Sequence, residues 1–389
     1  MLTVSQRSMN SYHAKNATFR PVASGGSAQR GFTLIEIMVA STISLILLGG
    51  VMQIFLSSKK TYTVAEEVAR LQENGRFALD VLARDIRMVG YQGCADPETV
   101  PATVIARDPP TTDFSLTGLQ GSEISDSEWE PALPTGIPDD ITDEHGNAYT
   151  LTTIANADSD VIIVQHASTV GTELTGNTTP DNGNIQLTNN SGNFAADDVL
   201  MISDCDTVDI FRANNVSSGS GSVTIAHSTA TNTTNRLSKS YPPGARILRF
   251  NSNLYFVSAG RKSDGSIKTN SRGNTINALY SMDINGNIVE LVEGVDSLQL
   301  LYGERIATGN VRYLTADDSN LDMTRVDSVR VALLMSTIEA VTDKDDTRTY
   351  RAAGTDIEPA GTSGAAVTYA VDRRIRRIFT ATINLRNRQ

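Results

Sequence analysis

Cysteine is almost missing from this chain of 389 residues, which holds only Cys94 and Cys205. So few thiols exclude a cysteine-rich metal site and leave either one disulfide or two separate thiols. Histidine is nearly as scarce. His13, His145, His166 and His227 are scattered, and none stands in an HExxH, Gly-x-Ser-x-Gly or phosphate-loop setting. No catalytic constellation, metal set or cofactor motif is therefore visible. Acid is absent from residues 1–31, where Arg7, Lys15, Arg20 and Arg30 give +4; with a formal net charge of −11, the remaining residues carry −15. A basic leader precedes an acidic body, and an acidic body argues against nucleic acid as a partner, because neutralising phosphates needs clustered Lys and Arg.

Charge is also absent from Ile37 to Leu56, twenty consecutive residues. A helix of that length spans roughly 30 Å, about the thickness of a bilayer's hydrocarbon core. The run is longer than the apolar core of a secretory signal and has no A-x-A cleavage pattern after it. Glu36 stands just before it. Insertion scales charge about 2.5–3.5 kcal/mol for an acid at the centre of a spanning helix and less near an end, so Glu36 is either tolerated at an interface or required there.

The residues "RG-FTLIE" ahead of an apolar helix resemble the class III signal of type IV prepilins and pseudopilins. The resemblance implies that prepilin peptidase cuts between Gly31 and Phe32 and that the new terminus, Phe32, is N-methylated. A mature chain of 358 residues then carries Glu36 as its fifth residue. Glu36 would neutralise the ammonium of a neighbouring subunit, a charge that methylation preserves. Such a buried pair fixes register more than it adds stability. A leader of 31 residues is long for this class, and Met9 is an alternative start.

Beyond the run, Val64, Val68, Leu71, Gly75, Ala78, Leu82, Ile86 and Val89 recur at helical steps, with Glu66, Glu67, Arg70, Glu73, Arg76 and Arg84 mostly elsewhere on the wheel. The helix is expected to continue to about residue 90, its first half (32–56) crossing the membrane and its second (57–90) amphipathic. Residues 91–389 then read as a β-rich body, so the fold class is α+β, a long N-terminal helix packed on a mostly antiparallel sheet. "DVIIVQH" and "DDVLMIS" read as buried strands, and "RILRFNSNLYFVSA" as a hairpin turning at Asn251–Asn253. "ALYSMDINGNIVELVEG" reads as a second hairpin with Asn285-Gly286 at its turn. In "SVRVALLMS" Val329, Val331, Leu333 and Met335 share a face, and in "FTATINLRN" Phe379, Ala381, Ile383 and Leu385 do. Residues 105–150 and 212–240 read from composition as long loops.

A bridge between Cys94 and Cys205 would close a loop of about 110 residues, for which chain-entropy models give about 4–5 kcal/mol, and we expect it rather than two thiols. The acids Asp204/Asp206/Asp209, Asp317/Asp318 and Asp343/Asp345/Asp346 read as solvated loop residues. "DINGNIVE" superficially resembles a calcium loop but is explained by its hairpin. Six arginines in residues 372–388 read as the charged face of a terminal strand, since no aromatic platform accompanies them.

"DIRMVGYQGC", "LVEGVDSLQLLYG", "VRVALLMS" and "TINLRNR" are similar to PilW-type minor pilins. That resemblance implies a non-enzymatic subunit anchored in the inner membrane with its body in the periplasm. After assembly it would sit at the pilus tip, beside other minor pilins, the major pilin and a tip adhesin. It would initiate type IV pilus assembly and so support twitching and adhesion. A J-type pseudopilin of type II secretion is the nearest alternative, and a membrane-anchored extracytoplasmic enzyme or binding module a more distant one.

Overall fold

The computed structural model describes residues 31–97, 99–107, 118–125, 128–134, 137–157, 159–176, 178, 184–219 and 221–387. The leader through Arg30, with Met9 and His13, lies outside the described residues. The chain divides into two units at Lys59/Lys60. One helix, α1 (Leu34–Met88), runs from the first into the second. In the first unit its residues are exposed throughout, and by length and composition α1 is apolar enough to cross a membrane.

In the second unit α1 buries Glu67, Leu71, Gly75, Ala78, Leu82, Ala83 and Ile86. All but Ala83 recur in steps of three and four, the stripe that a helix must present to a sheet. The facing sheet is four-stranded, with β9 (Val311–Leu314) at one edge, then β8 (Val295–Arg305), β10 (Val326–Ser336) and β11 (Arg376–Asn384), all antiparallel. Val329, Val331, Leu333 and Met335 of β10 join Phe379, Ala381 and Ile383 of β11 and then Leu385 beneath the helix. Ala332 and Leu334, on the other face of β10, are covered by Ala352, Ile357 and Tyr369. Both strand patterns are thus oriented as alternation dictates.

A second, eleven-stranded sheet contains β1 (Leu119–Ser125), β2 (Val161–Glu173), β3 (Val199–Ser203), β4 (Val208–Arg212), β5 (Arg246–Ala259), β6 (Asn277–Met282) and β7 (Asn287–Glu293). Residues 246–259 are one strand, not a hairpin: β5 pairs with β2 from Arg246 to Tyr255, so Asn251 lies opposite His166 and Asn253 opposite Val164. Its other edge takes β3 first and β6 afterwards. The asparagines do not turn the chain because the period-two pattern continues through them, with Phe250, Ser252, Leu254 and Phe256 all buried.

The β6–β7 hairpin forms as expected, though its loop has three residues. Asp283 N–H donates to the Asn287 carbonyl at 2.9 Å, Gly286 N–H donates to Asp283, and Gly286 takes φ 82°. The same closure, with glycine at positive φ in the fourth place, recurs at 143–147, 262–266, 270–274 and 306–310.

The stretches 105–150 and 212–240, read as long loops, carry short strands: β1, Glu128–Glu130, Asp140–Asp143 and Ala148–Thr150 in the first, Asn215–Gly219 and Ser222–Ala226 in the second. In the second stretch Val223 and Ile225 join Ile185, Leu187, Phe211 and Tyr241 in a separate core. Polar composition hid these strands because most of their positions are exposed or half-buried.

Candidate functional site

The N-terminal residues make a small constellation of their own. Gly31, Phe32 and Thr33 precede the helix, and Phe32 is 84% exposed. Thr33 is the residue before α1, and its N–H and hydroxyl both donate to Glu36 Oε2, at 2.9 and 2.8 Å. Glu36 N–H points back to the Thr33 hydroxyl at 3.4 Å. This T-x-x-E arrangement is a capping box, which satisfies N–H groups that a helix start leaves unpaired. The four residues "TLIE" carry this cap together with the charge. Both bonds use Oε2, and Glu36 Oε1 has no hydrogen bond among the described residues.

Gly31 has open space where a β-carbon would stand. Nothing in the described fold requires glycine there.

The second half of α1 is fastened to the body by polar contacts as well as packing. Glu67, placed by sequence among the solvent-facing acids, is instead buried, and its Oε2 accepts Ile338 N–H at 3.0 Å and Glu339 N–H at 3.1 Å. Asp85 meets His166 from β2 with a separation of 2.7 Å. After the helix, Cys94 and Cys205 form a disulfide with Cα atoms 4.8 Å apart, across a sequence separation of 111. The bridge, expected from scarcity and compartment, joins the segment following α1 to the segment following β3.

The other sequence candidates take structural places. Arg374 and Arg376 are not on a charged surface: both are buried, with Arg374 Nε 2.6 Å from Asp372 Oδ2 and Arg376 Nε 2.8 Å from Asp296 Oδ2. Asp209 is likewise buried rather than solvated, accepting from Ser238 N–H and the Tyr241 hydroxyl. Asp283 turns its carboxylate onto Asn285 and Asn287, closing its own hairpin. Among the described residues no group of three or more His, Cys, Asp or Glu side chains is disposed to hold a metal ion.

Residues 26–52 match the family model of the prokaryotic N-terminal methylation motif. That defines a class of proteins whose apolar helix follows a class III signal processed by prepilin peptidase, consistent with anchoring in the inner membrane before assembly. Residues 254–387, from the second half of β5 through β11, match the model of type IV pilus-assembly protein W, PilW. Over that stretch the chain is similar to the PilW type IV pilus-assembly proteins. No curated protein sequence is a significant match.

Proposed function

We propose that this chain is a minor pilin that primes type IV pilus assembly at the inner membrane and occupies the pilus tip, supporting twitching motility and adhesion. Prepilin peptidase cuts between Gly31 and Phe32, and Phe32 is N-methylated. Glu36 then receives the positive terminus of a neighbouring pilin, and the exposed apolar half of α1 packs among the helices of the other minor pilins and the major pilin. A tip adhesin contacts the periplasmic body.

One observation carries this reading. The methylation motif falls where glycine has no internal role, one residue before an exposed phenylalanine and directly ahead of a capped helix whose apolar first half is exposed. A glycine that the fold does not need is explained by an enzyme that does. The cap also supports the role given to Glu36, because one carboxylate oxygen serves the chain's own helix and the other stays open to a partner. The PilW match favours the pilus over a J-type pseudopilin.

Mass spectrometry of the mature N-terminus tests the processing: methylated phenylalanine derived from Phe32 is expected, and an intact or differently cut terminus would refute it. Complementation of a strain lacking the gene, read by pilus number and twitching zone, tests the priming role.

A further inference from the structure

The end of α1 meets the sheet at a closed polar cluster that the pilus reading does not use. Asp85 sits near the last turn of the helix and is mostly buried, and His166 of β2 is buried. His166 Nε2 lies 2.7 Å from Asp85 Oδ1, and His166 Nδ1 lies 2.8 Å from the carbonyl oxygen of Ala167. From β5, the Asn253 amide and the Tyr255 hydroxyl donate to Asp85 Oδ2 at 3.0 and 2.9 Å. The main chain joins on either side: Gly90 N–H donates to the Gln165 carbonyl at 3.0 Å and Ala167 N–H to the Tyr91 carbonyl at 2.7 Å.

The partners dictate the protonation. A carbonyl oxygen can only accept, and a carboxylate that already takes two donors on its other oxygen is itself an acceptor. Both ring nitrogens of His166 therefore carry hydrogen. A neutral imidazole has one N–H and must forfeit either the Ala167 or the Asp85 bond, leaving a buried carboxylate without its counter-charge.

We infer that Asp85 and His166 form a proton-operated clasp, which fastens the end of α1 to the sheet while the imidazole is doubly protonated and loosens it when that proton leaves. Asp85 is the charged group that acts on the ring. From β5, Asn253 and Tyr255 close over the carboxylate rather than the imidazole.

The energetics agree in sign. Burial lowers the His166 pKa, but the hydrogen bond and charge of Asp85 outweigh it, and the net shift is upward. Burial raises the Asp85 pKa, but His166, Asn253 and Tyr255 outweigh it, and the net shift is downward. A raised histidine contributes stability that is complete below its unfolded pKa and lost as pH rises through the folded one. A depressed aspartate contributes stability that is lost as pH falls through its folded pKa. The clasp thus holds between the lowered Asp85 value and the raised His166 value, and it opens on the alkaline side.

Hydrogen exchange of the full-length chain in detergent micelles, corrected for intrinsic rates, reads the clasp directly. Between about pH 6 and pH 9 the amides of residues 82–92 should lose about tenfold protection while those of β10 hold theirs. Asp85→Asn and His166→Gln should lower protection at pH 6 and abolish its dependence on pH. Flat protection in the native chain, or the same pH dependence in His166→Gln, overturns the inference. Nitrogen NMR of isotope-labelled histidine gives a reading without mutation: two protonated nitrogens at pH 6 support the clasp, and a neutral tautomer refutes it. Neither result depends on whether the chain enters a filament.

Discussion

The Phe379 ring of β11 lies directly against the Cα of Gly75 in α1. A β-carbon at Gly75 would stand 2.8 Å from three atoms of that ring. Alanine gains about 1 kcal/mol over glycine in helix propensity, yet overpacking a close contact costs about 1–3 kcal/mol. Gly75→Ala is expected to destabilise by about 1 kcal/mol in denaturant unfolding. Combined with Phe379→Leu, the two changes should cost less than their sum, which a double-mutant cycle measures.

The capping box and the assembly charge on Glu36 can be separated. Glutamine serves in a capping box as glutamate does, so Glu36→Gln should leave the helix start intact by circular dichroism while pilus number falls. Thr33→Val removes the cap and keeps the charge, costing about 1 kcal/mol locally with assembly retained. Equal loss of pili in both would place the role in the cap.

Removing the disulfide with Cys94→Ser and Cys205→Ser is expected to cost about 2–5 kcal/mol, because the unfolded chain regains the freedom of a long closed loop. Thermal melts of oxidised, reduced and double-serine protein would check it. The first should stand apart from the other two.

Asp296 neutralises Arg376 in the buried network beside β11, where Arg376 also stacks 4.4 Å from the Tyr369 ring centroid. Asp296→Ala removes the carboxylate at Arg376 Nε, leaving the buried cation to Asp372 at 3.0 Å, and should cost about 3 kcal/mol. Replacing Asp296 and Arg376 together by apolar residues should cost less than Asp296→Ala alone. Urea titration distinguishes these outcomes.

Glu123 of β1 is pushed up to about 7, first by burial and then by the neighbouring charge of Asp317. An acid whose folded pKa lies above its unfolded value contributes most stability at low pH and loses it as pH rises between the two, from 4.5 to about 7. Glu123→Gln should therefore raise the melting temperature at pH 8 more than at pH 4 and flatten the profile between. An unchanged profile would argue against the coupling.

Periodic segments were legible from the sequence. The stripe from Leu71 to Val89, the alternation in β10 and β11 and the uncharged run after Glu36 each state their environment residue by residue. Non-local choices were not legible. Glu67 looked like any other helix acid because its partners, the N–H groups of Ile338 and Glu339, are 271 and 272 residues away. Asn251 and Asn253 have turn chemistry, yet Asn253 was committed to Asp85 on a distant helix. Arg374 and Arg376 looked solvated because Asp296, which takes Arg376 Nε, lies 80 residues earlier, although Asp372 stands in the same short stretch. The T-x-x-E cap at Thr33 was local and could have been read.

The bridge between Cys94 and Cys205 has a mechanical meaning as well as a thermodynamic one. Tension drawn along the second half of α1 passes from the segment after the helix straight into the segment after β3 through a covalent bond. The chain between the two cysteines is left slack. A pull on the helix would thus be resisted by shearing strand β4, which follows Cys205, from its neighbour β3, not by paying out the loops between the two cysteines one after another.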